Sequence, residues 1–258
     1  MEPVVIKISG SLTDQPEQLT LIFDYVEQAL QQSRSVVLVH GGGKQINALS
    51  HRLGVPPKQV QGRRITASED LEVLKYTVGG SVNINLVSAL RERGIQAVGI
   101  NGTDGELTRS RKREPLLIDE CEVDFQLVGE IEHVNPTLLH VLLNAGMLPV
   151  VGCLTWSPDE GLLNINADTF AINLASALAA RELVMLMEPE AVLDRHGRPV
   201  HSMNPEAYET GKKDGWINAG MVPKLYTGFR ALKAGIATVR LTNPSGLVRN
   251  RGTLLKID

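Results

Sequence analysis

Short β-branched apolar runs alternate with longer stretches whose apolar residues recur every three or four positions, almost throughout the chain. Val4-Val5-Ile6-Lys7-Ile8 is predicted as a buried strand, because apolar residues fill both of its faces and the turn Ser9-Gly10-Ser11 follows. Leu19, Ile22, Val26 and Leu30 then keep helical spacing, with Asp14 expected as N-cap, Pro16 in the first turn and Glu17 just after it. Ser35–Val39 predicts a second strand, Gly41-Gly42-Gly43 a turn, and Lys44 to Leu53 a helix. Further strands are predicted at Ala97–Ile100, Leu148–Val151, Val184–Leu186 and Thr238–Leu241, and helices at about 68–92, 135–145, 167–180, 204–213 and 221–234. Leu116–Ile118 and Gln126–Ile131 read as a local antiparallel hairpin on the sheet edge.

Alternating strands and helices imply βαβ units, hence an α/β fold with a mainly parallel central sheet and helices on both faces. A soft division is expected near Leu178–Val184, where the second half of the sheet begins. With 43% apolar residues in 258, the core is sizeable, and with 4% aromatics it must rest on Leu, Val, Ile and Ala. A net charge of −3 argues against a protein that holds nucleic acid by neutralising phosphates, so the expected partners are small molecules. Cys121 and Cys153 are too far apart for ligand spacing and read as reduced thiols, with no metal site. No apolar stretch approaches the roughly 20 residues of a membrane span, and Met1-Glu2-Pro3 carries no leader signal, so the expected location is cytoplasmic.

Ligands of open α/β sheets bind at the carboxyl ends of strands. Two loops there are glycine-rich, Ser9-Gly10-Ser11 and Gly41-Gly42-Gly43, and the second opens a helix. Glycine lets backbone approach a ligand, and helix-terminal amides favour an anion. Neither loop has Walker A or dinucleotide-binding spacing, and each taken alone could be a tight turn. Lys7 inside an apolar strand needs an exit or an anionic partner. Lys224 opens another helix, and Asn164-Ile165-Asn166-Ala167-Asp168 sits at a strand-to-helix junction, where Asn166 suits a cap and Asp168 a first-turn acid. Together, two lysines, an aspartate and two amide-rich loops supply what phosphoryl transfer needs: fixed charge around the transferring group.

The ordered set Lys7-Ile8-Ser9-Gly10, Val39-His40-Gly41-Gly42-Gly43, Gly62-Arg63-Arg64-Ile65-Thr66, Asn164-Ile165-Asn166-Ala167-Asp168 and Gly220-Met221-Val222-Pro223-Lys224 resembles the acetylglutamate kinases of the amino acid kinase family. The resemblance runs from Val4 to about Leu255. It implies the amino acid kinase fold, a three-layer sandwich around a mainly parallel sheet of about eight strands. It also implies an acyl amino acid lobe over 1–180 and an ATP lobe over 181–258, in one compact domain. The implied activity is ATP-dependent phosphorylation of the γ-carboxylate of N-acetyl-L-glutamate, the second step of arginine biosynthesis.

Position by position, the resemblance implies that Lys7 and Lys224 stabilise the transferring phosphoryl group and that Asp168 holds their ammonium groups in register. Gly42 and Gly43 would contact the acyl amino acid, Arg64 would clamp its α-carboxylate, and Asn164 would bind its amide end. Gly10, Glu188, Trp216, Ile217 and Asn218 would serve the nucleotide, with Mg²⁺ carried on the ATP phosphates. The family's arginine-inhibited hexamers have an extra N-terminal helix; this chain starts at the first strand, so a homodimer without arginine feedback is expected. The cations Arg109, Arg111, Lys112 and Arg113, in a predicted loop, read as a solvated edge or as a dock for an acidic partner. The second reading brings an alternative substrate, aminoadipate or glutamate on an acidic carrier protein. The other alternative is a non-catalytic ligand-binding member of the fold.

Overall fold

The first strand is apolar on both faces because both faces are covered. In the computed structural model, which describes residues 2–217 and 221–257, all five residues of Val4–Ile8 (β1) are buried, Lys7 included. Seven further strands join it in one mixed, mostly parallel sheet: β2 (Val36–His40), β3 (Ala97–Asn101), β4 (Leu148–Gly152), β5 (Glu182–Leu186), β6 (Ser202–Met203), β7 (Val239–Thr242) and β8 (Thr253–Leu255). Their order is β6-β8-β7-β5-β1-β2-β4-β3, the mainly parallel sheet that the alternation of elements implies, with the eight strands that the family resemblance implies. Packing divides the chain into two units, one of Met1–Leu38 with Ala171–Asp258 and the other of Val39–Phe170.

In the first unit β1 runs parallel to β5, with Val4 opposite Glu182 and Lys7 opposite Met185. Parallel pairing continues to β7, with Leu186 opposite Thr242. Three carboxyl ends thus lie on one side, where ligands of such sheets bind. The helix Pro16–Gln31 turns Ile22, Phe23, Val26 and Ala29 inward. At about 1.5–3 kcal/mol for each large apolar side chain fully buried, that face outweighs any cap. Its cap position is held by Gln15 rather than the expected Asp14, without a side-chain bond, and Pro16 starts the helix with its φ already set. Helix Pro205–Lys213 is capped by chemistry, since Asn204 Oδ1 accepts from the Ala207 amide at 2.9 Å.

In the second unit the expected helix 68–92 is helical throughout but changes its winding. Ser68–Leu74 and Asn83–Glu92 are α-helical, and Lys75–Val82 between them, with Gly79 and Gly80, is π-wound. A four-stranded sheet, ordered Gly161–Asn164, Leu154–Ser157, Thr108–Lys112, Gly129–Val134, corrects two expectations. Leu116–Ile118 pairs with Cys121–Val123, not with 126–131, because Asp119 and Glu120 adopt positive φ of 48° and 63° and close a two-residue turn. Gly129–Val134 pairs instead with Thr108–Lys112, so most of the basic run expected in a loop is strand. The inner face of that sheet is satisfied by shared hydroxyls, with Thr155 Oγ1 2.6 Å from Thr108 Oγ1 and 2.7 Å from Ser110 Oγ.

Asn83, where the π-wound segment passes into the last helix, lies flat against β3. A Cβ on Gly99 would come within 1.9 Å of Asn83 Oδ1, and the Asn83 Nδ2 donates to Val150 O of β4 at 2.9 Å. The amide is held by its bonds and cannot retreat cheaply. Gly99→Ala is therefore expected to destabilise the protein by about 2–3 kcal/mol, read from urea unfolding at pH 7. A change below about 0.5 kcal/mol would show that Asn83 is free to move.

Candidate active site

The glycine-rich loops lie in different units, each closing one strand. Beyond β1, the segment Ser9–Gln15 folds on itself: Leu12 N donates to Ser9 O at 2.9 Å, Thr13 Oγ1 to Gly10 O at 3.0 Å, and Gln15 Nε2 to Ser11 O at 2.6 Å. Gly10 is left half-buried at the bend. Lys7 stands one residue before the end of β1 and is 8% exposed. Next to it in the sheet, β5 runs on past Leu186, because the Met187 amide donates to Thr242 O at 2.8 Å. Met187, Ala191 and Val192 are buried, and the Val192 amide donates to Thr253 Oγ1 at 2.9 Å. The loop is pinned at both ends, with Glu188 exposed between them.

Trp216 and Ile217 follow helix Pro205–Lys213, and both amides donate to Gly211 O, at 3.1 and 3.2 Å. Gly211 lies against the indole so closely that a Cβ would come within 2.4 Å of Trp216 Cζ2. Asn218 falls outside the described residues. Lys224 is the third residue of helix Val222–Lys233, beside Pro223 in the first turn.

In the second unit the helix Gly43–Arg52 opens directly from the glycines, with Gly42 at the cap position and its carbonyl accepting from Ile46 N at 2.7 Å. Arg64 stands on a hairpin, Lys58–Val60 against Arg63–Ile65, turned by Gln61 and Gly62 at φ of 48° and 75°. This is the left-handed pair that matches strand twist. Its guanidinium Nη2 donates to Asn47 Oδ1 on the glycine-loop helix. Nη1 has no hydrogen-bond partner, and the nearest carboxylate oxygen, Asp70 Oδ1, is 4.0 Å away. The two side chains are only 10% and 8% exposed. Asp70 is itself fixed, its Oδ2 accepting from the Ala67 amide at 3.1 Å. Burial pushes the Arg64 pKa down and the Asp70 charge opposes it. The guanidinium remains a cation with an unused, nearly dry N–H edge, which suits a carboxylate.

Asn164 closes the strand Gly161–Asn164, and its Nδ2 donates to Thr66 Oγ1 at 3.1 Å. Thr66 is fully buried, bonded by its backbone to Phe125 O and Leu127 N. Arg64 and Asn164 are thus brought together through Thr66, two residues from one and bonded to the other. Asn166 caps the helix Ala167–Ala177, its Oδ1 accepting from Asp168 N at 2.9 Å and Thr169 N at 3.2 Å, which places Asp168 in the first turn as expected.

Sequence reading gave no role to the residues that hold these groups: Asn47, Asp70 and Asn83 lie outside its motifs, and His40 and Thr66 lie within them without a stated part. Asn47, Asp70 and Asn83 form no periodic or spaced motif with their partners. His40 ends β2 and is fully buried, with Nδ1 3.0 Å from Gly41 O and Nε2 2.9 Å from Asn83 Nδ2. A separate cavity of about 770 Å³, lined by Thr103, Glu106, Arg109, His133, Asn135 and Trp156, contains none of the residues expected to serve the acyl amino acid or the nucleotide. Its cation Arg109 lies 4.0 Å from Glu132.

The family model described as "Amino acid kinase family" matches residues 2–243. The chain belongs to the amino acid kinase family. Acetylglutamate kinase of Methanopyrus kandleri is 37% identical over 98% of this chain and 99% of that protein. Acetylglutamate kinase of Bacteroides thetaiotaomicron is 39% identical over 98% and 97%. Among solved structures, smu.665 from Streptococcus mutans UA159 aligns with a TM-score of 0.82 and 27% identity, over 99% of this chain and 98% of that one. The family fold read from the motifs is therefore the fold observed.

His40 also has a stability consequence. Burial pushes its imidazole down to about 4, against an ordinary value of 6.5. The unfolded chain therefore takes up a proton between those values and the folded chain does not, so stability falls as pH drops through that window. Between pH 7 and 5 the loss assigned to His40 is about 2 kcal/mol. Urea unfolding of the wild type should show that loss in excess of the loss in His40→Asn. Equal losses would contradict a buried neutral imidazole.

Proposed function

We propose that this protein transfers the γ-phosphoryl group of ATP to the γ-carboxylate of N-acetyl-L-glutamate, giving ADP and the acyl phosphate of arginine biosynthesis. The observation that carries this reading is Arg64, a guanidinium only 10% exposed beside the glycine-loop helix, whose Nη1 makes no hydrogen bond and stands 4.0 Å from Asp70. It is the group an α-carboxylate would satisfy. Its setting agrees with full-length similarity to acetylglutamate kinases.

In this reading Gly42 and Gly43 meet the acyl amino acid, and Asn164 meets its amide end. Gly10, Glu188, Trp216 and Ile217 serve ATP, whose phosphates carry Mg²⁺. Lys7 and Lys224 supply positive charge to the transferring group, and Asp168 orients their ammonium groups. No general base is needed, because a carboxylate is already ionised at neutral pH. A homodimer fits the sheet: among the described residues it ends at β3 with an unpaired outer edge, and Tyr76 and Ile84 of the same unit are exposed. No described helix is long and apolar enough to cross a membrane, and neither Cys121 nor Cys153 forms a disulfide, which goes with a cytoplasmic enzyme.

The carrier-linked alternative rested on the basic run, and that run is matched by acids. Arg111 lies 2.8 Å from Glu130 and 3.3 Å from Glu114, Lys112 3.2 Å from Asp124, Arg113 3.4 Å from Glu130, and Arg109 4.0 Å from Glu132. Four cations face four carboxylates, so this edge offers no surplus charge to an acidic carrier.

The test is ADP release with Mg-ATP across N-acetylglutamate, N-acetylaminoadipate, free glutamate and aspartate, with hydroxylamine to trap acyl phosphate. Turnover on N-acetylglutamate with hydroxamate formation is expected, and silence on it would refute the reading. Lys224→Ala should lower kcat by about 10²–10³ and move either KM by less than about threefold, since its contact strengthens in the transition state. Arg64→Ala should raise the N-acetylglutamate KM by about 100-fold and move the ATP KM little. Equal shifts in both parameters for both variants would contradict this division of roles.

A further inference from the structure

His40 is the one polar side chain of β2, and it immediately precedes the three glycines. A carbonyl oxygen can only accept, so the 3.0 Å contact to Gly41 O puts the ring proton on Nδ1. Nε2 is then a lone pair, met by an N–H of Asn83 at 2.9 Å. The other N–H of the same amide donates to Val150 O at 2.9 Å. A turned-over amide would set its oxygen against both an acceptor nitrogen and a carbonyl, so the orientation of Asn83 is determined. One arrangement of protons satisfies both ring nitrogens and both N–H groups of the amide, whose nitrogen also lies 3.4 Å from Ile100 O.

The geometry has a consequence for the glycine loop. The chain has no cis peptide bonds among the described residues, so the Gly41–Gly42 peptide is trans and its N–H points opposite to its C=O. With the Gly41 carbonyl bonded to the imidazole, the Gly42 N–H is directed away from that buried ring, at the N-terminal end of helix Gly43–Arg52. Without the bond this peptide plane would be free to rotate, since glycine on either side restrains it little. We infer that His40 is a positioning residue that, through the Gly41 carbonyl, aims the Gly42 amide at the acyl amino acid, while Asn83 holds its tautomer. This rests on the assignment of the glycine loop to that substrate. A neutral ring is required: a proton on Nε2 would face the Asn83 N–H donor.

Two substitutions separate positioning from packing. The amide nitrogen of His40→Asn stands where Nδ1 stood and can still donate to Gly41 O, whereas that of His40→Gln stands near Nε2 and cannot. His40→Gln is expected to raise the KM for N-acetylglutamate about tenfold, the equivalent of one hydrogen bond, with the ATP KM within about twofold. His40→Asn should recover all but about threefold of that loss. Indistinguishable variants, or equal shifts in both KM values, would overturn the proposal. The tautomer is read without any variant or turnover, from long-range ¹H–¹⁵N correlation of the wild-type ring. An Nδ1–H pattern is expected, and an Nε2–H pattern overturns the proposal even if both variants fail to fold. A wild type inactive on N-acetylglutamate would refute the substrate assignment and, with it, the role given to Gly42, while an Nδ1–H ring would still support the His40–Gly41 bond.

Discussion

A polar atom that water cannot reach must be paired inside the protein, and the second unit is organised by the few places where that rule applies. His40 and Thr66 are fully buried, and Arg64 and Asp70 nearly so. The acceptor nitrogen of the His40 ring needs a donor opposite it, and Asn83 supplies one by lying across β3 and β4, which in turn requires glycine at position 99. Thr66 is satisfied by Asn164 and by backbone from 125 and 127. Arg64 is satisfied only in part, and that incompleteness makes it a receptor. Buried pairing thus brings the hairpin, the glycine-loop helix and the Asn164 strand to one another, and leaves the Arg64 Nη1 edge without a hydrogen bond.

The first unit solves a different problem. β1 and β5 are covered on both faces, so their hydrogen bonding runs along the sheet and function can only be carried at strand ends. Gly10 and Glu188 lie in the loops that follow β1 and β5, strands that are parallel neighbours. A strand bond from the Met187 amide to Thr242 O and a bond from the Val192 amide to the Thr253 hydroxyl pin the Glu188 loop at its two ends. Its acid stays at the surface whatever its neighbours bury.

What could be read in the sequence was whatever recurs with a period or sits in a local motif. The helices 204–213 and 221–234 and the strands at 97, 148, 184 and 238 announced themselves by apolar spacing, and Asn166 by its place before a helix. The π-wound stretch did not, because its apolar residues keep a nearly helical pattern and only Gly79-Gly80 hints at the change. The hairpin at 116–123 was misassigned because two acidic residues, not glycine or asparagine, take positive φ in its turn. Arg64 was legible as a motif residue, but Asn47 and Asp70 were not, since their relation to it exists only after folding. The basic run looked like surplus charge because its four carboxylates lie up to 23 residues away along the chain, Glu132 against Arg109.

The central claim is that the partly paired Arg64 waits for a carboxylate. It is tested most directly by calorimetric titration, without nucleotide, of N-acetyl-L-glutamate against its α-carboxamide, which keeps every other group. The account predicts at least about 100-fold weaker binding of the amide, the loss expected when a buried cation is denied its anion. Equal affinity for the two would show that Arg64 does not receive the α-carboxylate, and the site assignment would fall with it.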